Sequence, residues 1–347
     1  MTLHIFNPDH DMALASDLSN FTAPHAGRQL RSDLGWLPAL WAAEGDAVLV
    51  DDAARAERQW LRASARVSGQ RRVWFVERRM LASLIMERIE PWGWNKALTA
   101  QLRRWGIGDD LLPSESALAG IRRLSHRRTS ALLLPMLRSE GTCGEASECA
   151  TVEQVEQLLA QHGRLVLKAP WSSSGRGVRF VTALGTHELG WLRNVLRQQG
   201  SVMAEPLYDK VKDFGMEFVA AADGSVTYCG LSLFTTANGA YTGNLLATEH
   251  VKRQLLGRYV PLELLGRVRR DIECHLRLDG YAGPLGIDMM MVRNDARCVL
   301  LHPCVEINLR RTMGHAALAV GCDDDELRRV MRIDYNGTNY KLRITKR

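Results

Sequence analysis

The chain has 347 residues, 46% of them hydrophobic and 24% charged, with a formal net charge of +6; this is ordinary for a globular protein of two or three packed units of ~100–200 residues each. No apolar run approaches the ~20 residues needed to cross a bilayer, and no basic segment followed by an apolar stretch opens the chain as a signal peptide would. Seven cysteines, an odd number with no C-x-x-C pair, fit neither a disulfide framework nor a zinc knuckle and read as reduced thiols of a cytoplasmic protein.

The positive excess is spread over helical segments (Arg122, Arg123, Arg127 and Arg128, then Arg267, Arg269 and Arg270), without the interleaved aromatics of an RNA-binding surface. A nucleotide or another small anion therefore suits it better than a nucleic acid. No membrane partner is expected, and a homodimer stays open.

His4-Ile5-Phe6 reads as a first strand, ended by the turn Asn7-Pro8-Asp9-His10-Asp11, with a short helix beginning at Met12. Residues 47–50 and 73–76 read as two more buried strands separated by helical stretches. Together they define a small α/β unit with a parallel sheet over residues 1–95. No G-x-G-x-x-G follows the first strand and no P-loop run occurs, so those two nucleotide-binding readings lack support. His10 and Asp11 lie outside the carboxyl end of a strand, where α/β sheets place ligands. They are candidate substrate contacts, and a helix cap through Asp9 or Asp11 is the competing role. Residues 90–95 (EPWGWN) break the pattern and lead to a helical connector over residues 96–125. Trp92 and Trp94 serve there either as a stacking platform or as packing between units.

Pro113 and Ser114 precede a helix carrying Leu118, Ile121 and Leu124, and His126-Arg127-Arg128 opens another. Thr151, with Gln154 three residues on, forms a capping-box start; Gly163 is the matching stop. Residues 165–180 (LVLKAPWSSSGRGVRF) then carry an apolar strand that delivers Lys168, a Ser/Gly loop, and a second strand from Val178. The glycines allow positive φ and close approach, the serines add hydroxyl donors and Lys168 adds a point charge. The segment is either a lid over phosphates or an ordinary turn. A helix over about residues 187–199 follows.

Residues 202–207 (VMAEPL) form an apolar strand running into Glu205 and Pro206. Residues 216–221 and 226–229 flank Asp223-Gly224, a hairpin signal. The glycine-rich stretch 235–248 (TTANGAYTGNLLAT) reads as a mobile loop, where substrate binding tends to sit. Asn244 within it, and His250 and Lys252 just after it, are candidate substrate contacts. Pro261 opens a long helix with Leu265, Val268, Ile272 and Leu276 on one face. Two strands follow, GIDMMMV at 286–292 and VEINLRR at 305–311, and residues 314–320 read as a short helix.

Asp288, Glu306 and Asn308 are oxygen ligands on neighbouring strands, with Glu306 and Asn308 two apart and so on one face. Hard oxygen donors with room for phosphate oxygens suit Mg²⁺, or Mn²⁺ in its place. An acid and an amide on an otherwise apolar strand are costly to bury without a cation or hydrogen-bond partners. Arg310 shares their face and can hold a transferred phosphoryl group. Arg311 points the other way and is a weaker substrate candidate. No convincing nucleophile set stands out; Cys304 beside His302 reads as packing.

In this order and spacing, the Lys168 strand and its loop, the strand ending at Glu205, the Asp288 strand and the E-x-N-x-R run at Glu306, Asn308 and Arg310 resemble the ATP-grasp superfamily over roughly residues 125–320. The resemblance implies an α/β (α+β) fold: two ATP-grasp subdomains, at 126–205 and 206–322, preceded by a small N-terminal α/β domain and followed by an extension at 323–347. It implies ATP and Mg²⁺ as cofactors and catalytic roles for Lys168 and Arg310. Lys168 would meet the phosphates, with Ser173, Ser174, Gly175, Arg176 and Gly177 closing over them. Glu205 and the backbone around Leu207 would meet the adenine, and Glu217 the ribose. The interval from Glu205 to Glu217 is longer than in many relatives, so Asp209 and Asp213 are rivals. Where the family often carries a lysine near residues 126–128, this chain offers only arginines.

The activity so implied is that of an ADP-forming C–N ligase, which activates a small-molecule or peptide carboxylate as an acyl phosphate for attack by an amine. A nucleotide-responsive binding module without turnover, or a small-molecule kinase, are the alternatives. The loop at residues 172–177 has little apolar material to anchor it, and is expected to gain order from phosphates.

Overall fold

The computed structural model describes residues 1–65, 67, 71–172, 177–237, 240–294 and 296–346. At the N-terminus the parallel strands Thr2–Ile5, Ala47–Leu49 and Trp74–Val76 are joined by a fourth, Arg88–Pro91, which pairs with the first on its other side. This last strand occupies what the sequence presents as a break. Ile89 and Pro91 are buried opposite Leu3 and Ile5, and the proline is tolerated because the strand lies at the sheet edge.

Helices cover both faces of this sheet. Leu98 and Leu102 join Leu3 and Ile5 on one face, and Trp36 and Trp60 join Phe6 and Val48 on the other. The second cluster continues into Ala316, Ala317, Val320 and Met331. The N-terminal unit and the last third of the chain therefore share a core.

A smaller antiparallel sheet has the order Ser147–Cys149, Val202–Pro206, Leu165–Lys168, Val178–Val181. The helices Val152–His162 and Thr186–Gln199 seal it through Val155, Leu192 and Val195. The first begins with the expected capping box at Thr151 and Gln154 and ends at Gly163, whose φ of 71° suits glycine.

A larger antiparallel sheet has the order Val226–Ser232, Asp209–Ala220, Gly283–Arg293, Val299–Asn308. Leu285, Ile287, Met289 and Met291 are buried in one core with Leu265, Val268 and Ile272 of the helix Leu262–His275. With a side-chain period of two, that alternation turns Asp288 to the opposite face.

The fourth sheet corrects the reading of residues 235–248. They are not a loop: Phe234–Ala237 and Ala240–Leu246 form a hairpin, whose second strand pairs with Arg329–Tyr335 and through it with Tyr340–Lys346. The Thr235 and Thr242 hydroxyls meet at 2.8 Å across the hairpin, so the polar composition belongs to cross-strand pairs. Gly243, at φ 156°, lies where an added Cβ would come 2.9 Å from the Met331 carbonyl. The expected C-terminal extension is thus half of a sheet. No helix among the described residues is long and apolar enough to cross a membrane.

Candidate nucleotide and metal site

Register explains the first pair of the site. Val166 stands opposite Glu205, and Lys168 opposite Met203, on adjacent antiparallel strands. Lys168 and Glu205 are therefore diagonal neighbours on one sheet face. The Lys168 Nζ donates to Glu205 Oε2 at 2.6 Å, with both side chains buried. Beyond Lys168 the chain turns at Ala169, whose N–H donates to the Gly177 carbonyl at 2.8 Å. An added Cβ on Gly177 would strike Ser172, so the close approach requires glycine there. Ser173, Ser174, Gly175 and Arg176, the rest of the expected phosphate loop, lie outside the described residues.

Below this pair runs the strand Val299–Asn308. His302 is fully buried, and neither ring nitrogen has a hydrogen-bond partner among the described residues. The Tyr208 ring meets it edge-on at 5.6 Å. Burial, and then the nearby Lys168 charge, push the His302 pKa down to about 3, so the ring is neutral. Cys304 is buried close to Ser130, Glu205 and Asp288, and burial pushes its thiol up to about 12; it is no nucleophile. An imidazole with two unused nitrogens beside a buried Lys–Glu pair suits a flat, polar ring such as adenine. At Leu207, where the sequence places an adenine contact through the backbone, the N–H donates to the Arg164 carbonyl at 3.1 Å.

Further along, Glu306 stands directly opposite Asp288 in the register. Asn308 donates from Nδ2 to Asp288 Oδ2 at 3.2 Å. Burial first, then the Glu306 and Glu217 charges, raise the Asp288 pKa to about 7. Two carboxylates facing each other, one reluctant to ionise, form a site that a divalent cation would relieve. No group of three or more His, Cys, Asp or Glu side chains with metal-ligand placement occurs among the described residues; the third donor here is the Asn308 amide.

Two arginines close the site. Arg127, just ahead of the helix Arg128–Leu133, donates from Nη2 to Glu306 Oε1 at 2.8 Å, and from Nη1 to the Ala169 carbonyl at 2.5 Å and Ser172 Oγ at 2.9 Å. It ties the smaller sheet's loop to the acidic strand. The sequence marks only an arginine where a lysine is usual and does not single out Arg127. Its signal is a buried guanidinium, visible only in three dimensions. Arg310 donates from Nε and Nη2 to the two Asp11 oxygens at 2.8 and 2.7 Å, and from Nη2 to Asn308 Oδ1 at 2.9 Å. Burial disfavours both charges of the Asp11–Arg310 pair. Their mutual attraction overcomes this, lowering the pKa of Asp11 and raising that of Arg310.

The turn at residues 7–11 is what brings Asp11 there. Asn7 exchanges two hydrogen bonds with the Gly93 backbone, donating at 2.8 Å and accepting at 3.3 Å. His10 is buried against Gly93 and accepts from Asn95 at 3.2 Å. Asp9 stands at the N-cap of the helix His10–Ser16 without a side-chain cap bond, so capping is not its role. Between His10, Asp11, Arg127, Ser172 and Glu306 the remaining space is about 20 Å³.

Other expected contacts lie elsewhere. Glu217 is buried and accepts from Thr312 Oγ1 at 2.8 Å, with His315 Nδ1 at 2.9 Å. Its oxygens are taken up at the start of the helix Met313–Val320. Of its rivals, Asp209 is exposed and Asp213 is held by Lys210 and Thr236 at 2.6 Å each. Asn244 is buried between Ser232 and Tyr241, and Lys252 is buried donating to the Leu231 carbonyl at 2.9 Å. His250 is exposed and meets Gln254. None of these three lines the space at Glu306. Arg311 reaches Glu90 at 3.3 Å and stacks over Trp41 at 4.7 Å, joining the N-terminal unit to the acidic strand. Trp92, edge-on to Phe6 at 5.1 Å, is packing of the same seam.

No protein-family model matches the chain, and no curated protein does. Solved structures match its fold. N5-carboxyaminoimidazole synthetase from Staphylococcus aureus, complexed with ADP, aligns over 97% of this chain and 83% of its own, at 10% identity and a TM-score of 0.51. Pyruvate carboxylase from Rhizobium etli aligns over 84% of this chain and 31% of its own, at 12% identity and a TM-score of 0.51. Both likenesses are of fold, which these two proteins share with this chain, and they agree with the α/β ATP-grasp fold expected from the sequence.

Proposed function

We propose that this chain is an ATP-dependent ligase that joins a carboxylate to an amine. The observation that carries the reading is the row of side chains along one strand and the bend after it: His302 and Cys304 beside Lys168–Glu205, then Glu306 facing Asp288, then Asn308, with Arg310 just past the strand end. It supplies, in order, a polar ring pocket, a cation for phosphates, paired carboxylates for a metal and a second cation.

Asp288, Glu306 and Asn308 are the residues that would hold Mg²⁺, which when bound offsets phosphate charge. Lys168 would neutralise the α/β-phosphates, and Arg310 the transferred group. A carboxylate oxygen of the acid attacks the γ-phosphorus as the bond to ADP breaks. The amine nitrogen then attacks the acyl carbon, phosphate leaves, and the nitrogen loses its proton. Such chemistry needs positioning and charge rather than a protein nucleophile, in keeping with a buried Cys304 whose thiol stays protonated.

The test is ADP and phosphate release in the presence of an acid and an amine, with hydroxylamine added to trap the acyl phosphate as a hydroxamate. Release that depends on the acid, with hydroxamate formed, supports the ligase. A stable phosphorylated product that hydroxylamine does not trap points to a kinase, and AMP with pyrophosphate refutes the acyl-phosphate route. A binding module without turnover is the second reading. It is favoured by one observation, that Arg127 already occupies Glu306 and leaves little free space.

A further inference from the structure

A separate cavity of about 610 Å³ opens at the carboxyl ends of the first three parallel strands, outside Phe6, Leu49 and Val50 and beside Glu77. Its volume is in the range of small-molecule sites, ~300–1,000 Å³, and the carboxyl end of a parallel sheet is where open α/β folds bind ligands. Phe6, Leu49 and Val50 are buried residues on its apolar wall. Around it stand four arginines, Arg31, Arg78, Arg79 and Arg104, against the acids Asp51 and Glu77.

The arginines are not equally engaged. Arg79 pairs with Glu77 at 3.0 Å, and Arg31 donates to the Gln101 side chain. The other Glu77 oxygen accepts from the Ala53 backbone N–H at the start of the helix Ala53–Ser64. Arg78 and Arg104 have no carboxylate within ion-pair reach among the described residues. Arg78 is instead held over the Trp105 ring, 5.3 Å from its centre, which fixes one guanidinium at the rim. Like charges gathered around a concave, partly apolar wall focus field on an anion and offer it the arginine fork.

We propose that this cavity binds a small organic anion, its phosphate or carboxylate group on Arg78 and Arg104 and its apolar body on the Phe6–Leu49–Val50 wall. The site goes beyond the nucleotide reading and does not depend on it.

Calorimetric titration of the full chain with phenyl phosphate, benzoate and neutral benzyl alcohol tests it. At least one of the two anions should saturate a single site, and which one does so identifies the head group. Binding should weaken about tenfold or more when Arg78→Gln and Arg104→Gln are combined, as expected for losing charge-assisted bonds. It should be partly recovered by Arg78→Lys with Arg104→Lys, and unchanged by Lys168→Ala in the other cleft. Four results would overturn the proposal: no saturable binding of either anion, an unchanged constant in the glutamine pair, loss in Lys168→Ala, or equal binding of benzyl alcohol.

Discussion

Asp11 and Arg310, 299 positions apart in the chain, face each other as a two-point ion pair at 2.8 and 2.7 Å. The N-terminal turn thereby holds the arginine that ends the E-x-N-x-R run, and Arg310 in turn holds Asn308. Geometry at the acidic strand thus depends on a residue from a different unit.

Asp11→Asn should break this relation while keeping its size. Both side chains are partly exposed, 24% and 17%, so the loss is set below that of a fully buried pair, at about 1–3 kcal/mol. Asp11 has a depressed pKa. Its contribution is therefore present above the ordinary carboxylate value and fades as pH falls through the folded one. Thermal unfolding should show a gap between wild type and variant at pH 7 that closes in acid. Turnover should fall as well. An equal gap at every pH would mean that the aspartate acts through packing alone.

Asp288 titrates in the opposite sense. Its pKa, raised from 3.8 to about 7, means that the metal-free fold is stabilised by the protonated form. That contribution is complete below about pH 4 and is lost as pH rises towards 7. Relative to Asp288→Asn, the wild type should lose stability between pH 4 and pH 7. Mg²⁺ should restore it and release about one proton per chain at pH 6. Absence of proton release at that pH would count against Asp288 as a metal ligand.

His302→Leu separates binding from folding. Removing two buried nitrogens that have no partner among the described residues should leave the melting temperature the same or higher. ATP affinity should drop by about tenfold, the worth of one lost hydrogen bond of ~1–1.5 kcal/mol. Unchanged affinity would make His302 a packing residue, as its sequence context alone reads.

Local signals carried much of this fold. The Thr151 capping box, the Asp223-Gly224 hairpin and the apolar stripe after Pro261 all stand where their residues place them. The spacing of Glu306 and Asn308 likewise told which face they share, but the strand expected to run to residue 311 ends at Asn308, and Arg310 reaches Asn308 from the bend beyond it. What escaped was set by tertiary partners. Residues 235–248 are rich in glycine and threonine, and they become strands because residues 329–335 supply the pairing edge. Glu217 sits in a G-x-E context, yet a helix start 95 residues away claims its oxygens. Arg127 resembles its arginine neighbours until the fold buries it against Glu306, and Asp11 has no meaning without Arg310.

Lys168–Glu205 and Asp288–Glu306–Asn308 are proposed to form one site for ATP with Mg²⁺. Calorimetric titration of the wild type, Lys168→Ala and Glu306→Gln with ATP, each with and without Mg²⁺, tests it most directly. One ATP should bind per wild-type chain, tighter with Mg²⁺. Affinity should be weakened in Lys168→Ala under both conditions, and Glu306→Gln should lose the response to Mg²⁺ while still binding ATP. No saturable binding by the wild type, or a Mg²⁺ response that survives Glu306→Gln intact, would contradict it.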